Sequence, residues 1–143
     1  MSSIRDAYEQ AAQLYNAGDV EGLVNLYTED ATRVTPLGTS EGRAAIHEAV
    51  SRDKAAFPDH TVTVDVIVEQ GGTIATEWTF AGTNTGPLVM PDGTELPPTG
   101  KRIEFKGMEL VHMRDGKAAV HHQYWDNMAV VGQLGLLPGG AIA

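Results

Sequence analysis

The stretch Met113-Arg114-Asp115-Gly116-Lys117-Ala118-Ala119-Val120-His121-His122-Gln123-Tyr124-Trp125-Asp126 carries the densest run of side chains able to do chemistry. On a strand, successive side chains point to opposite faces. His122, Tyr124 and Asp126 therefore share one face with Val120, while His121, Gln123 and Trp125 share the other. One face must cover a core or cavity, and the other meets solvent or a partner subunit. Asp126 stands among bulky aromatics. A carboxyl desolvated in such surroundings has a raised pKa and becomes a usable general acid or base near neutral pH. The plainer reading is that Asp126 caps a helix starting at Met128. Adjacent histidines on a strand point apart, so His121 and His122 cannot build a compact metal site together, and no metal is expected.

The strand before offers either Glu109 or His112 as a partner for Asp126, and the Asp115-Gly116 hairpin decides which. A two-residue turn pairs Arg114 with Lys117 and brings Glu109 to the Asp126 face. A type I turn with a glycine bulge pairs Met113 with Lys117 and brings His112 there instead. The second form is common in curved sheets and is the expected one. A histidine and an aspartate facing each other across a cavity suit proton shuttling at a carbon next to a carbonyl.

The elements that must position these residues follow from periodicity. Ile4, Ala7, Tyr8, Ala11, Leu14 and Tyr15 mark one face of a helix, with Ser3 and Asp6 as a capping box and Asn16-Ala17-Gly18 as its stop. Asp19 caps a second short helix that buries Val20, Leu23, Val24 and Tyr27. Ala31 to Val34 reads as a short strand ended by Pro36. A third helix, capped by Ser40, turns Ala45, Ile46, Ala49 and Val50 inward and ends before Phe57-Pro58-Asp59. Four strands follow: Thr61 to Glu69, Ile74 to Thr83, Arg102 to Met113 and Ala118 to Asp126. Gln70-Gly71-Gly72 turns between the first two. Thr85 to Gly100, with four prolines and three glycines, reads as a long loop. Met128 to Leu137 makes one or two helical turns before Pro138-Gly139-Gly140. Helices first and antiparallel strands after predict an α+β fold, a strongly curved sheet that three helices close over a cavity.

Composition removes several classes. The chain has 143 residues, close to one domain, and a single domain over 1–143 is expected. It has no cysteine, which excludes disulfides, zinc–thiolate sites and a thiol nucleophile. A net charge of −9 argues against nucleic acid or an anionic membrane as partner. An apolar share of 42% is enough for a core. No signal peptide, membrane span or solenoid repeat is evident, so a cytoplasmic location is expected. The nucleophile elbow, the phosphate-binding loop and the dinucleotide fingerprint are also missing, and no cofactor is expected.

Several fragments in order carry a resemblance. They are Gly42-Arg43-Ala44-Ala45-Ile46, Phe57-Pro58-Asp59, Glu77-Trp78-Thr79-Phe80-Ala81-Gly82-Thr83-Asn84-Thr85-Gly86, Pro97-Pro98-Thr99-Gly100-Lys101, Arg114-Asp115-Gly116-Lys117, Tyr124-Trp125-Asp126 and Gln133-Leu134-Gly135-Leu136-Leu137-Pro138. In their order and spacing the chain resembles the SnoaL-like polyketide cyclases, within the cone-shaped nuclear-transport-factor-2-like fold. The resemblance implies a cofactor-free enzyme that closes a ring in a hydrophobic, carbonyl-bearing substrate by an intramolecular aldol or related step. It implies Asp126 as the acid/base and His112 as its helper, with His122 a second candidate. His122 stands where relatives often have tryptophan, which implies a more polar cavity floor. Trp78, Tyr15, Tyr124, Glu109 and Phe57 are the candidates for substrate contacts. Other readings on the same fold are a small-molecule binder without catalysis, a shape-driven cycloaddition and an epoxide hydrolase. An apolar outer sheet face, with Met108, Leu110 and Trp125 or their alternates, leads to the expectation of a homodimer or higher homo-oligomer.

Overall fold

The computed structural model describes residues 3–137, so Pro138-Gly139-Gly140 lies outside the described residues. The helices are α1 (Ile4–Ala17), α2 (Val20–Val24), α3 (Arg43–Ala56) and α4 (Asn127–Gln133). The strands are β1 (Tyr27–Thr35), β2 (Gly38–Glu41), β3 (Thr61–Gln70), β4 (Thr73–Thr83), β5 (Leu88–Val89), β6 (Glu95–Leu96), β7 (Arg102–Arg114) and β8 (Lys117–Trp125). The architecture is α+β, with a curved sheet and four helices.

Local chemistry sets the element ends. At the start of α1 the Ser3 hydroxyl accepts from the Asp6 amide at 3.0 Å, and the Ser3 amide donates back to Asp6 at 3.1 Å. Asp19 caps α2 by accepting from the Gly22 amide at 2.9 Å. Two expectations are corrected. Tyr27 opens β1 rather than closing α2, and its carbonyl accepts two hydrogen bonds from Arg43 at 3.0 and 2.7 Å. Ser40 does not cap α3. It sits in β2 opposite Arg33, because the turn after Thr35 folds β2 back along β1. The residue before α3 is Gly42, at φ 83 and without a side-chain cap.

The main sheet has the order β2-β1-β8-β7-β4-β3, and within it β1 and β8 run parallel while the other neighbours are antiparallel. Register shifts break the ladders between Val64 and Val66, between His112 and Met113, and between Tyr27 and Thr32. Such bulges increase local twist and bend a sheet into a cone. β4 alternates cleanly: Ile74, Thr76, Trp78 and Phe80 are buried, and the residues between them are less so. Trp78 pairs with Gly107 on β7, which pairs with Trp125 on β8. A side chain at Gly107 would begin 2.4 Å from the Trp78 ring, so only glycine leaves room for the indole. On the outer face Val66, Val68, Met108 and Tyr124 remain exposed. Three of them lie in one row, Val66 to Glu77 to Met108 to Tyr124.

The Thr85–Gly100 segment is not wholly irregular, since β5 and β6 pair into a small hairpin apart from the main sheet. Its two ends are held by Asn84, which is fully buried. The Asn84 amide donates to the carbonyls of Ala56 at 3.0 Å and Gly86 at 2.9 Å. Its oxygen accepts from the Thr99 amide at 2.8 Å and the Thr99 hydroxyl at 2.9 Å. One side chain thus fastens the departing and returning arms to the end of α3. Asn84→Ala leaves these groups unsatisfied inside the protein. It is expected to lower stability by roughly 2 kcal/mol or more, read from urea unfolding. Limited proteolysis should then cut within residues 85–100 faster than in the wild type. Unchanged stability and cleavage would show that Asn84 does not fasten the loop.

Candidate active site in the cone

Between the helices and the inner face of the sheet lies a cavity of about 390 Å³, in the range of small-molecule sites. It separates two apolar clusters. One is built on Phe57, Trp78, Phe80, Ile103, Val130 and Leu134. The other is built on Leu23, Val24, Tyr27, Ala31, Ile46 and Val50. Leu37 and Pro91 line the cavity while remaining exposed, which puts the β1–β2 turn and the β5–β6 turn at its rim. At the aromatic end, Phe80 stacks on Phe105 at 5.1 Å between centroids, and Trp78 meets Trp125 edge-on at 6.2 Å.

The other end is polar. Glu109 on β7 and His121 on β8 are buried and hydrogen-bonded through Glu109 Oε2 and His121 Nε2. The Tyr8 hydroxyl of α1 donates to Glu109 Oε1 at 2.5 Å and lies 2.9 Å from the Thr76 hydroxyl. The Tyr27 hydroxyl lies 2.7 Å from His121 Nδ1. With Glu109 as an acceptor, Nε2 of His121 is the nitrogen that donates to the carboxylate, and Nδ1 is the one that faces the Tyr27 hydroxyl. Arg33, paired in register with His121 on β1, donates from Nη2 to Gln123 Oε1 at 3.2 Å. The same nitrogen lies 3.7 Å from Asp53 on α3, and Asp53 accepts from the Tyr15 hydroxyl at 3.4 Å.

These environments push two carboxyls in opposite directions. Burial raises Glu109, but the His121 charge and hydrogen bonds from His121, Tyr8 and Gln123 outweigh it and hold the carboxyl below its ordinary value. Burial raises Asp53 above its ordinary value, and Arg33, His60 and Tyr15 offset this only in part. The Asp53 side chain is a third exposed, but it lines the cavity and that exposure looks inward. Burial and the Glu109 charge raise Tyr8, and burial carries Tyr27 up to about 12 against the opposing charge of Arg33. Both phenols therefore stay protonated donors. Among the described residues no group of three or more His, Asp or Glu is placed to hold a metal.

Four expected site residues prove to lie outside the cavity. Asp126 is exposed and caps α4, accepting from the Ala129 amide at 3.1 Å. His112 is exposed, 2.9 Å from the Thr73 hydroxyl. His122 and Tyr124 lie beside each other on the outer face, with Tyr124 60% exposed. The reason lies in the hairpin. Asp115 and Gly116 have φ of 53 and 78, a two-residue turn that pairs Arg114 with Lys117. The bulge comes two residues later, at Ala119, where Met113 faces Ala118 but His112 faces Val120. That brings His112 to the face of His122 and Asp126, as expected, but this is the outer face. Trp78, Tyr15, Phe57 and Glu109 do line the cavity. His121, Gln123, Arg33, Asp53, Tyr8 and Tyr27 were not singled out as catalytic or substrate-contacting. The signal for the first two was their shared strand face with Trp125. The signal for Arg33 was its spacing of two from the fully buried Ala31.

The two carboxyls have opposite effects on stability. Asp53 titrates above its unfolded value of 3.8, so its contribution is present below that pH and lost as pH rises through the folded value. Asp53→Asn is expected to raise the urea midpoint at neutral pH, with the gain vanishing below about pH 3.8. Glu109 titrates below its unfolded value of 4.5, so its contribution is present above that pH and lost as pH falls through the folded value. Glu109→Gln is expected to lower the midpoint at neutral pH, with the gap narrowing below pH 4.5. Shifts of the reverse sign would refute this assignment.

Comparison with known proteins agrees with the fold. TsrD from Streptomyces laurentii superposes with a TM-score of 0.80 at 25% identity, covering 94% of this chain and 96% of that one. IdmH from Streptomyces antibioticus, described as a candidate polyketide cyclase, gives 0.76 at 29% identity, covering 94% and 99%. AclR from Streptomyces galilaeus, described as a candidate hydroxylase, gives 0.80 at 21% identity, covering 94% and 86%. No curated protein sequence matches the chain. The sequence model of one family matches residues 5–134, nearly the whole described chain, and by that match the protein belongs to the SnoaL-like polyketide cyclase family.

Proposed function

We propose that the protein is a cyclase-type enzyme that moves a proton at a carbon next to a carbonyl in a hydrophobic, polyketide-like substrate. The step closes or isomerises a ring and needs no cofactor. The observation that carries this reading is the Glu109–His121 pair buried at the polar end of an apolar cavity. His121 takes up the proton at Nδ1 through the Tyr27 hydroxyl 2.7 Å away: the proton of the substrate carbon passes to the phenol oxygen as the phenol proton moves to the ring. Ionised Glu109 stabilises the imidazolium that forms and keeps the ring in place through Nε2. Tyr8 and Tyr27, both kept protonated, hold Glu109 and His121 in position. Asp53, whose burial raises it above its ordinary value, lines the same cavity beside Arg33 and Tyr15.

A binder without catalysis would line its cavity with apolar groups and neutral donors. Here two carboxyls, an arginine and a histidine enter it. IdmH, at 29% identity and described as a candidate polyketide cyclase, supports the same kind of reaction.

The test needs no natural substrate. The methyl protons of 2-acetonaphthone, next to its carbonyl, should exchange for deuterium faster with the protein than without it, followed by proton NMR. Glu109→Gln and His121→Asn are each expected to slow the catalysed exchange by roughly 10²–10⁴-fold. Asp126→Ala should leave exchange intact and cost only a helix cap, about 1 kcal/mol of stability. Equal exchange in wild type and Glu109→Gln, in protein shown by circular dichroism to be folded, would sink the proposal. So would loss of exchange in Asp126→Ala.

A further inference from the structure

Arg33 is the one lysine or arginine among the described residues that is buried. A buried guanidinium normally gathers several acceptors, because leaving its donors unpaired away from water is costly. Arg33 has gathered few. Nη2 reaches Gln123 Oε1 at 3.2 Å, and its nearest carboxylate, Asp53, stands off at 3.7 Å, longer than a hydrogen bond. Nε has no partner at all. The side chain nevertheless lines the cavity. Its neighbour in register is His121, and Gln123, which accepts from Arg33, lies 3.2 Å from the His121 ring. An under-coordinated cation therefore stands beside the pair that moves the proton.

Neither carboxylate nearby fills this role. Glu109 is taken by His121 and Tyr8. Asp53 is drawn toward Tyr15 on α1 and titrates above its ordinary value, so it is a weak counterion. A negatively charged oxygen on a bound molecule would serve Arg33 better than the protein does. Removing a proton from a carbon next to a carbonyl creates such an oxygen, the enolate. The carbon–hydrogen pair of electrons moves into the new carbon–carbon double bond, the carbonyl bond opens onto oxygen, and the Tyr27 relay leaves a proton on His121.

We propose that Arg33 is the oxyanion-holding residue of this cavity, so that its substrates are planar apolar molecules whose reacting carbonyl oxygen is delivered to the guanidinium. This rests on the acid/base reading above and adds the group that receives the charge. The energetic logic is that of preorganised donors placed where charge develops, in a site shielded from water.

The probes are 2-naphthoate and its neutral counterpart of the same shape, 2-naphthamide, with binding read from quenching of Trp78 and Trp125, both in the cavity wall. Wild type is expected to bind 2-naphthoate at least about tenfold tighter than 2-naphthamide, the scale of one charge-assisted hydrogen bond. Arg33→Gln should erase that preference, with 2-naphthoate losing about tenfold more affinity than 2-naphthamide. Asp53→Asn removes the competing counterion and should tighten 2-naphthoate several-fold relative to 2-naphthamide. That second variant decides the matter where Arg33→Gln does not fold. Equal binding of both probes by wild type, or weaker 2-naphthoate binding by Asp53→Asn, overturns the role of Arg33 and leaves the acid/base reading standing. Failure of both probes to bind overturns the two together.

Discussion

Glu109 is a charge enclosed in an apolar cone, and an enclosed charge persists only where partners meet it from several sides. Those partners come from far apart in the chain. His121 arrives on the neighbouring strand, Tyr8 on the first helix, and Thr76 joins through Tyr8 from β4. The hydrogen bonds from Tyr8 therefore do more than tune a carboxyl. They fix how α1 sits across β4 and β7, and with it the roof of the cavity. Taking away one member of such a cluster costs about 3–5 kcal/mol, because the others are left buried and unmatched. The need to stabilise the fold and the need to hold a base in place are met by the same contacts.

Which side chains reach that cluster depends on one residue of slip. Without the bulge at Ala119, the two-residue turn would set Glu109 opposite His122, with His121 on the other face. With it, Glu109 lies opposite Gln123, and His121, two residues back, comes within reach. The bulge thus decides which histidine shares a face with Glu109, His121 with it and His122 without it. On its other edge β8 pairs with β1, where Arg33 lies beside His121.

Much of the frame was legible because it is locally encoded. The capping box at Ser3, the Asp19 cap, the stop at Gly18 and the alternation of β4 each involve residues within a few positions of one another. The short strands β2, β5 and β6 were not legible, since two to four residues carry no period. The choice of inner face on β8 was not legible either. Val120, His122 and Tyr124 are no less apolar than His121, Gln123 and Trp125, so hydrophobicity gives no vote. What settles it is the fit of Trp125 beside Gly107 and Trp78, a contact across three strands. Asp53 and Arg33 come from a helix and a strand whose meeting is wholly tertiary, and nothing in their local sequence marks them as a pair.

The two ends of the cavity divide binding from chemistry. The aromatic end, with ring pairs at tilts from stacked to edge-on, offers area and polarizability but little direction. The polar end offers few contacts, each with a fixed direction. In the proposed reaction a flat apolar molecule is held by the first and oriented by the second, with its carbonyl facing Arg33 and His121. Binding energy gathered among Trp78, Phe80 and Phe105 can then be used to place one carbon against the base, which is where affinity turns into rate. In the proposed reaction, substrate choice accordingly belongs to the residues of the aromatic end and to Leu37 and Pro91 at the rim. The Glu109–His121 pair would then set only what is done to whatever the cone admits.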